Sequence, residues 1–277
     1  MYTFVKFAAI FFIYSFLGWC GESIYCTVGE TRKAKKFTPI NRGFCTGPVC
    51  PIYGTTGVVM LLCLGPFADR PWWILAIIGI VVCDVVEYIT SYGMEKLFNA
   101  RWWDYTGKIG NINGRICLRN SVIWGALSVI YIKFVVPFAD RRLEMIPHNI
   151  LYILTGIVLA VFLVDFINTA RASLDIHKIT TKFQAIRDSF GRPEKSKDLG
   201  DTETESRVTD YLRRLSDFSP HRKSKVKRIV RFYPRLSDKM RDQIAELQSV
   251  PTEFSDKLSD ITDELKNHFG FDDHELY

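Results

Sequence analysis

Five long apolar runs, all before Ala170, constrain this 277-residue chain more than any other feature. They are FVKFAAIFFIYSFLGWCGESIY (4–25), PVCPIYGTTGVVMLLCLGPF (48–67), WWILAIIGIVVCDVVEYITSYGMEKLF (72–98), ICLRNSVIWGALSVIYIKFVVPF (116–138) and IPHNILYILTGIVLAVFLVDFIN (146–168). Each is close to the roughly 20 residues that a helix needs to cross a bilayer. One such run would suit a buried helix of a soluble protein; five with short connections predict an all-α, polytopic membrane bundle of about five transmembrane helices. The first run has almost no basic leader and holds Trp19, Glu22 and Tyr25, which suits a retained helix better than a signal peptide.

Charge divides the chain at the same place. Residues 1–169 carry 15 basic and 10 acidic side chains, whereas 170–277 carry 21 and 20 with no long apolar run. The expected organisation is a transmembrane helical domain over 1–169 and a charged, helical cytoplasmic tail over 170–277. The loop after the first run holds Arg32, Lys33, Lys35, Lys36 and Arg42; the loop after the third holds Arg101, Lys108 and Arg115; the tail opens with Arg171 and Lys178. Five spans put all of these on one side, opposite Lys6, Arg70, Arg141 and Arg142. Because basic loops stay in the cytoplasm, the N-terminus is expected outside and the C-terminus inside a plasma membrane.

Polar residues inside the spans are the candidate site. A charge at the bilayer centre costs about 2.5–3.5 kcal/mol on insertion scales, so its retention calls for a reason. Asp84, Glu87, Ser91 and Glu95 are spaced by three, four and four, which places them on one stripe of the third span. Arg115 and Arg119, four apart, lead the fourth span in from the same side. Glu22 lies towards that end of the first span, and Asp165 towards that end of the fifth. The pattern predicts a polar cavity at the inner leaflet, lined by Glu22, Arg42, Asp84, Glu87, Ser91, Glu95, Asp104, Arg115 and Arg119 as substrate or ion-pair residues. The same groups would also serve as an ion-pair network that only fixes helix packing.

Two connections are irregular. FTPINRGFCTGPVCPIYG (37–54) mixes prolines and glycines with Asn41 and Arg42. Such backbone is tolerated at membrane depth only where protein or a water-filled cavity satisfies it. NARWWDYTGKIGNINGRICLRNS (99–121) carries Trp102, Trp103 and Tyr105, an interfacial belt, or a lid over the polar site. The seven cysteines form no CxxC repeat and no His cluster accompanies them, so neither metal nor cofactor is expected.

Three blocks, NRGFCTGPVCPIYG, EYITSYGMEKLFNARWWDY and NINGRICLRNSVIWG, resemble the bacterial membrane-protein family of putative ABC-transporter permeases, type IV. The resemblance covers roughly residues 5–170 and leaves the tail outside. It implies a multi-span inner-membrane protein with a transport function and supplies no catalytic residues. The chain itself has no G-x-x-x-x-G-K-[ST] loop, so ATP-driven transport would need a separate ATPase.

The tail continues the fifth span with Leu174, Ile176, Ile179, Phe183 and Ile186, then meets a linker near 191–206. Helical patterns follow, among them the basic HRKSKVKRIVRFYP (221–234), which suits an anionic lipid surface. The expected partners are the lipid bilayer and, through the tail, an ATPase or a cytoplasmic protein; no nucleic acid is expected. The function read from the sequence is a transporter permease component. Its alternatives are a membrane-anchored scaffold or sensor working through the tail, and a membrane-embedded enzyme on a lipid-linked substrate. No Ser-His-Asp set, HExxH or Cys–His pair supports the enzyme.

Overall fold

A computed structural model describes residues 2–37, 39–98, 101–190, 224 and 263. The linker and helical segments expected beyond residue 190 lie outside these, apart from two isolated positions. Helix α1 spans Tyr2–Ala34, α2 Pro51–Leu64, α3 Trp72–Phe98, α4 Leu118–Ile130, α5 Val136–Glu144 and α6 His148–Phe190. No strand occurs among the described residues, as the all-α expectation requires.

Among the described residues, four helices are long and apolar enough to cross a membrane: Thr3–Gly29, Trp72–Phe98, Leu118–Glu144 and His148–Asp175. Each has 27 or 28 residues, about 40 Å at 1.5 Å per residue, against a hydrocarbon core of about 30 Å. The third of them is α4 and α5 joined by a π-helical turn, Tyr131–Val135. Pro137 cannot donate to the carbonyl four residues back, and its ring crowds that carbonyl, so the turn before it widens. The Val136 N–H accordingly bonds to the Tyr131 carbonyl, five residues back.

The second apolar run differs from its expectation. Its helix has 14 residues, about 21 Å, too short to cross alone. The missing length comes from the non-helical stretch before it, which runs back along α1. Ile40 N–H donates to Thr27 Oγ1, Arg42 N–H to Ser23 Oγ, Trp19 Nε1 to Asn41 Oδ1 and Cys50 N–H to the Ser15 carbonyl. Residues 15, 19, 23 and 27 are four apart and follow one strip of α1. Prolines 39, 48 and 51 keep the stretch from coiling, and this strip satisfies its backbone in place of water.

Two compact units divide the chain: residues 1–96 with 103–169, and residues 97–102 with 170–277. The second has as its described part the end of α3, residues 101 and 102, and α6 from 170 to Phe190. In the first unit the core holds Ile10, Tyr14, Met60, Leu64, Leu75, Cys83, Tyr131 and Ile132. Small residues bring its helices together: a methyl group on Gly54 of α2 would overlap Ser15 and the Phe11 carbonyl of α1, and one on Gly125 of α4 would meet Ile80 of α3 at 2.9 Å. At one end, Lys6 Nζ pairs with Asp140 Oδ2 at 2.9 Å and Val5, Leu143 and Leu151 pack together. The start of α1, the end of α5 and the start of α6 therefore share that end.

Candidate functional site

The inward strip of α3 is set by a spacing of four: Leu75, Gly79, Cys83, Glu87, Ser91 and Glu95. It changes from apolar to acidic along its length. Leu75, Cys83, Glu87 and Ser91 are buried. In its upper half Cys83 Sγ contacts Met60 Sδ at 3.6 Å, and Ser128 Oγ donates to Met60 Sδ at 3.2 Å.

Glu87 is the centre of the lower half, 5% exposed. Its Oε1 accepts from the Tyr105 hydroxyl at 3.1 Å, and its Oε2 from Trp124 Nε1 at 3.0 Å. Both donors are neutral, and no basic side chain pairs with Glu87 among the described residues. Asp84, one turn away, accepts from Ser121 at 2.7 Å through Oδ2, while its buried Oδ1 has no hydrogen-bond partner. Glu22 reaches the same place from α1: its Oε1 accepts from the Tyr53 hydroxyl at 2.8 Å, and the Tyr53 ring lies 5.4 Å from that of Trp124. The charges of Glu22 and Asp84 both bear on Glu87. A carboxylate held by neutral donors can take a proton without breaking an ion pair.

Residues 103–117 form a strap across this face. Gly107, Gly110, Asn113 and Gly114 all have φ between +52° and +83°, the left-handed region that lets the chain double back. Tyr105 N–H donates to the Gly114 carbonyl at 2.7 Å, Ile112 N–H to the Ile116 carbonyl, and Trp103 Nε1 to the Arg115 carbonyl. Arg115, 7% exposed, is the strap's anchor on α3. Its guanidinium donates to Ser91 Oγ at 3.2 Å and Glu95 Oε2 at 2.5 Å, with the Tyr88 and Tyr92 rings 5.5 and 5.4 Å away. Asn113 Nδ2 donates to the Tyr88 hydroxyl at 2.9 Å. Burial, and then the Glu87 carboxylate beside it, hold the Tyr105 phenol well above the usual tyrosine range, so it stays a donor.

The predicted site residues therefore fall into groups. Glu22, Asp84 and Glu87 converge without a cation. Ser91, Glu95 and Arg115 form the ion-paired lock below them. Arg42 belongs to the re-entrant stretch, where Asp165 of α6 accepts from Gly47 N–H at 2.8 Å. Asp104 closes its own turn by accepting from the N–H and hydroxyl of Thr106. Arg119 is exposed on the first turn of α4 and is not brought to the stripe. Glu87 itself is buried beneath these contacts.

Against known proteins, the family described as Putative ABC-transporter type IV matches residues 9–170. The chain belongs to this family. It is an integral membrane protein, and the match takes in the strap and all or most of each helix long enough to cross a membrane, leaving out the chain after residue 170. No curated protein and no solved structure matches it. The type IV family match thus covers the three groups of residues above.

Sequence reasoning missed Tyr53 and Trp124, and placed Tyr105 in an interfacial belt or a lid without assigning it to Glu87. A signal for Trp124 was present: with Ser121, Gly125 and Ser128 it follows the small-residue face of α4 at helical spacing. Tyr53 has no such signal, because its approach to Glu22 depends on the re-entrant path.

Proposed function

We propose that this chain is the membrane-embedded component of a transport system in the bacterial plasma membrane, and that the Glu22–Asp84–Glu87 cluster handles its solute or lipid at the inner leaflet. The observation that carries the reading is Glu87: a buried carboxylate on a membrane helix, held by two neutral donors and by no cation. Intramembrane carboxylates are costly, and those retained there mark substrate, ion and proton pathways. The basic loops support an orientation with the strap end in the cytoplasm, the N-terminus outside and the C-terminus inside. Energy would come from a separate ATPase or from a proton gradient coupled through Glu87 or Glu22.

Reconstitution in vesicles tests this. Glu87→Gln keeps the shape of the side chain and removes its charge. It should abolish uptake or efflux while thermal stability in detergent stays at the wild-type value. A broad solute panel giving no flux in wild-type vesicles, with and without a proton gradient and ATPase, would overturn the reading. The tail, which lies outside the family match, favours a second reading as a docking arm for a cytoplasmic protein. In that case truncation after Ala170 stops function and charge-removing substitutions at Glu22, Asp84 and Glu87 do not.

A further inference from the structure

We propose that the strap, residues 103–117, is a lid: it lifts from α3 as a preformed unit and so opens the Glu87 face to the compartment at that end. The purpose assigned to this motion rests on the transport reading, but the motion itself follows from how the strap is bonded.

Its backbone hydrogen bonds close within the strap, apart from one to the first residue of α4. Tyr105 bonds to Gly114, Lys108 to Tyr105, Asn111 to Lys108, Arg115 to Ile112, Ile112 to Ile116 and Leu118 to Ile109. Asn111 adds a side-chain bond to the Gly114 N–H. The fold of the strap therefore needs nothing from α3. What fastens it there is a set of side chains: Tyr105 on Glu87, Asn113 on Tyr88, and Arg115 on Ser91 and Glu95. Water can take over each of these bonds when the strap lifts, with no backbone group left unsatisfied. A segment with internal backbone bonding and side-chain fastening opens locally at a free energy well below that of global unfolding.

The fastening points also cover the chemistry. Tyr105 occupies one oxygen of Glu87, so the bond that holds the lid is a bond to the candidate ligand group. A polar ligand at Glu87 would have to replace the Tyr105 hydroxyl, so lid closure and ligand binding compete for the same oxygen. Trp124 stays on Glu87 in either state, because it belongs to α4.

Two native cysteines make the test possible in the full-length protein. Cys117, 3% exposed, lies at the base of the strap near the Tyr105 phenol. Cys45, fully buried in the re-entrant stretch, reports on the packing of the first unit away from the lid. A water-soluble maleimide is applied to the protein in vesicles, and peptide mass spectrometry follows each thiol. The double substitution Tyr105→Phe with Asn113→Gly removes two fastenings, keeps the left-handed backbone at residue 113 and leaves Arg115 in place. Cys117 should then label roughly tenfold faster or more, with Cys45 unchanged, as loss of two hydrogen bonds shifts a local opening equilibrium. An unchanged Cys117 rate overturns the lid. Equal acceleration at both cysteines also overturns it, because the change would then be loss of packing. Faster Cys117 labelling together with unimpaired flux in Glu87→Gln would keep the lid and discard the role of Glu87 in transport; unchanged labelling together with abolished flux would keep that role and discard the lid.

Discussion

At the scale of single residues, the α3 stripe separates two kinds of acid. Among the described residues, the half-buried Glu95 has a cation and the buried Glu87 has none, although the two are only eight residues apart on one face. The spacing of Asp84, Glu87, Ser91 and Glu95 already places them together. Their partners are a different matter. Arg115 was legible as a cation arriving from the same end, but Arg119, four residues on, points away because α4 begins at Leu118 and the strap before it sets Arg115's direction independently. Arg115→Lys tests how far the planar fork matters. A lysine cannot reach Ser91 and Glu95 together or stack between Tyr88 and Tyr92, so a loss of about 1–3 kcal/mol is expected, read as a lower melting temperature in detergent. Glu95→Gln should cost less than Arg115→Met, because the Glu95 side chain is 31% exposed and water can stand in for its partner. Equal losses from the two would show that water does not stand in for the Glu95 carboxylate and that the two charges act as one unit.

Among the elements, the least legible was the second crossing. An apolar run of 20 residues reads as one span, yet only Pro51–Leu64 and a short 3-10 turn to Phe67 are helical. The prolines and glycines of 37–54 marked the irregularity, but a composition cannot say where its hydrogen bonds go. The answer lies on α1, in the strip Ser15, Trp19, Ser23 and Thr27, a polar period of four within an otherwise apolar helix. That strip makes a prediction for this element alone. Asn41 accepts from Trp19 at 2.6 Å and donates to the Thr46 carbonyl at 2.9 Å, so it ties the stretch to α1 and to itself. Asn41→Leu leaves the Trp19 N–H and the Thr46 carbonyl without that partner, at a cost of about 1–3 kcal/mol each where they stay buried. Maleimide labelling of Cys45 should rise and that of Cys117 should not, the opposite of the pattern expected for the strap. If Cys45 stays protected, the stretch is held by other contacts and the strip on α1 is only packing.

For the whole molecule, the path of the chain and the distribution of charge agree. α1 and α3 run towards the strap end, the re-entrant stretch with α2 and then α4 with α5 run back, and α6 starts beside the beginning of α1. The direction of the chain thus alternates through the second apolar run although the stretch before Pro51 is not helix. That parity puts Arg32, Lys35, Lys36, Arg42 and Lys108 at one end and Lys6, Arg70, Arg141 and Arg142 at the other. Had the re-entrant stretch turned back without α2 reaching the far side, Arg70 would join the basic cluster and the charge asymmetry would weaken. The positive-inside rule therefore bears on the fold as well as the orientation. Lys36→Cys and Arg70→Cys, each in a background with the native cysteines replaced by serine or alanine, decide it. In intact cells an impermeant maleimide should label residue 70 and spare residue 36; in inside-out vesicles the pattern should invert. Labelling of both positions from the same side would mean that α2 does not complete a crossing. The strap and the Glu87 cluster would then still face together, since both belong to the strap end of α3, but the orientation proposed from the basic loops would lose its basis.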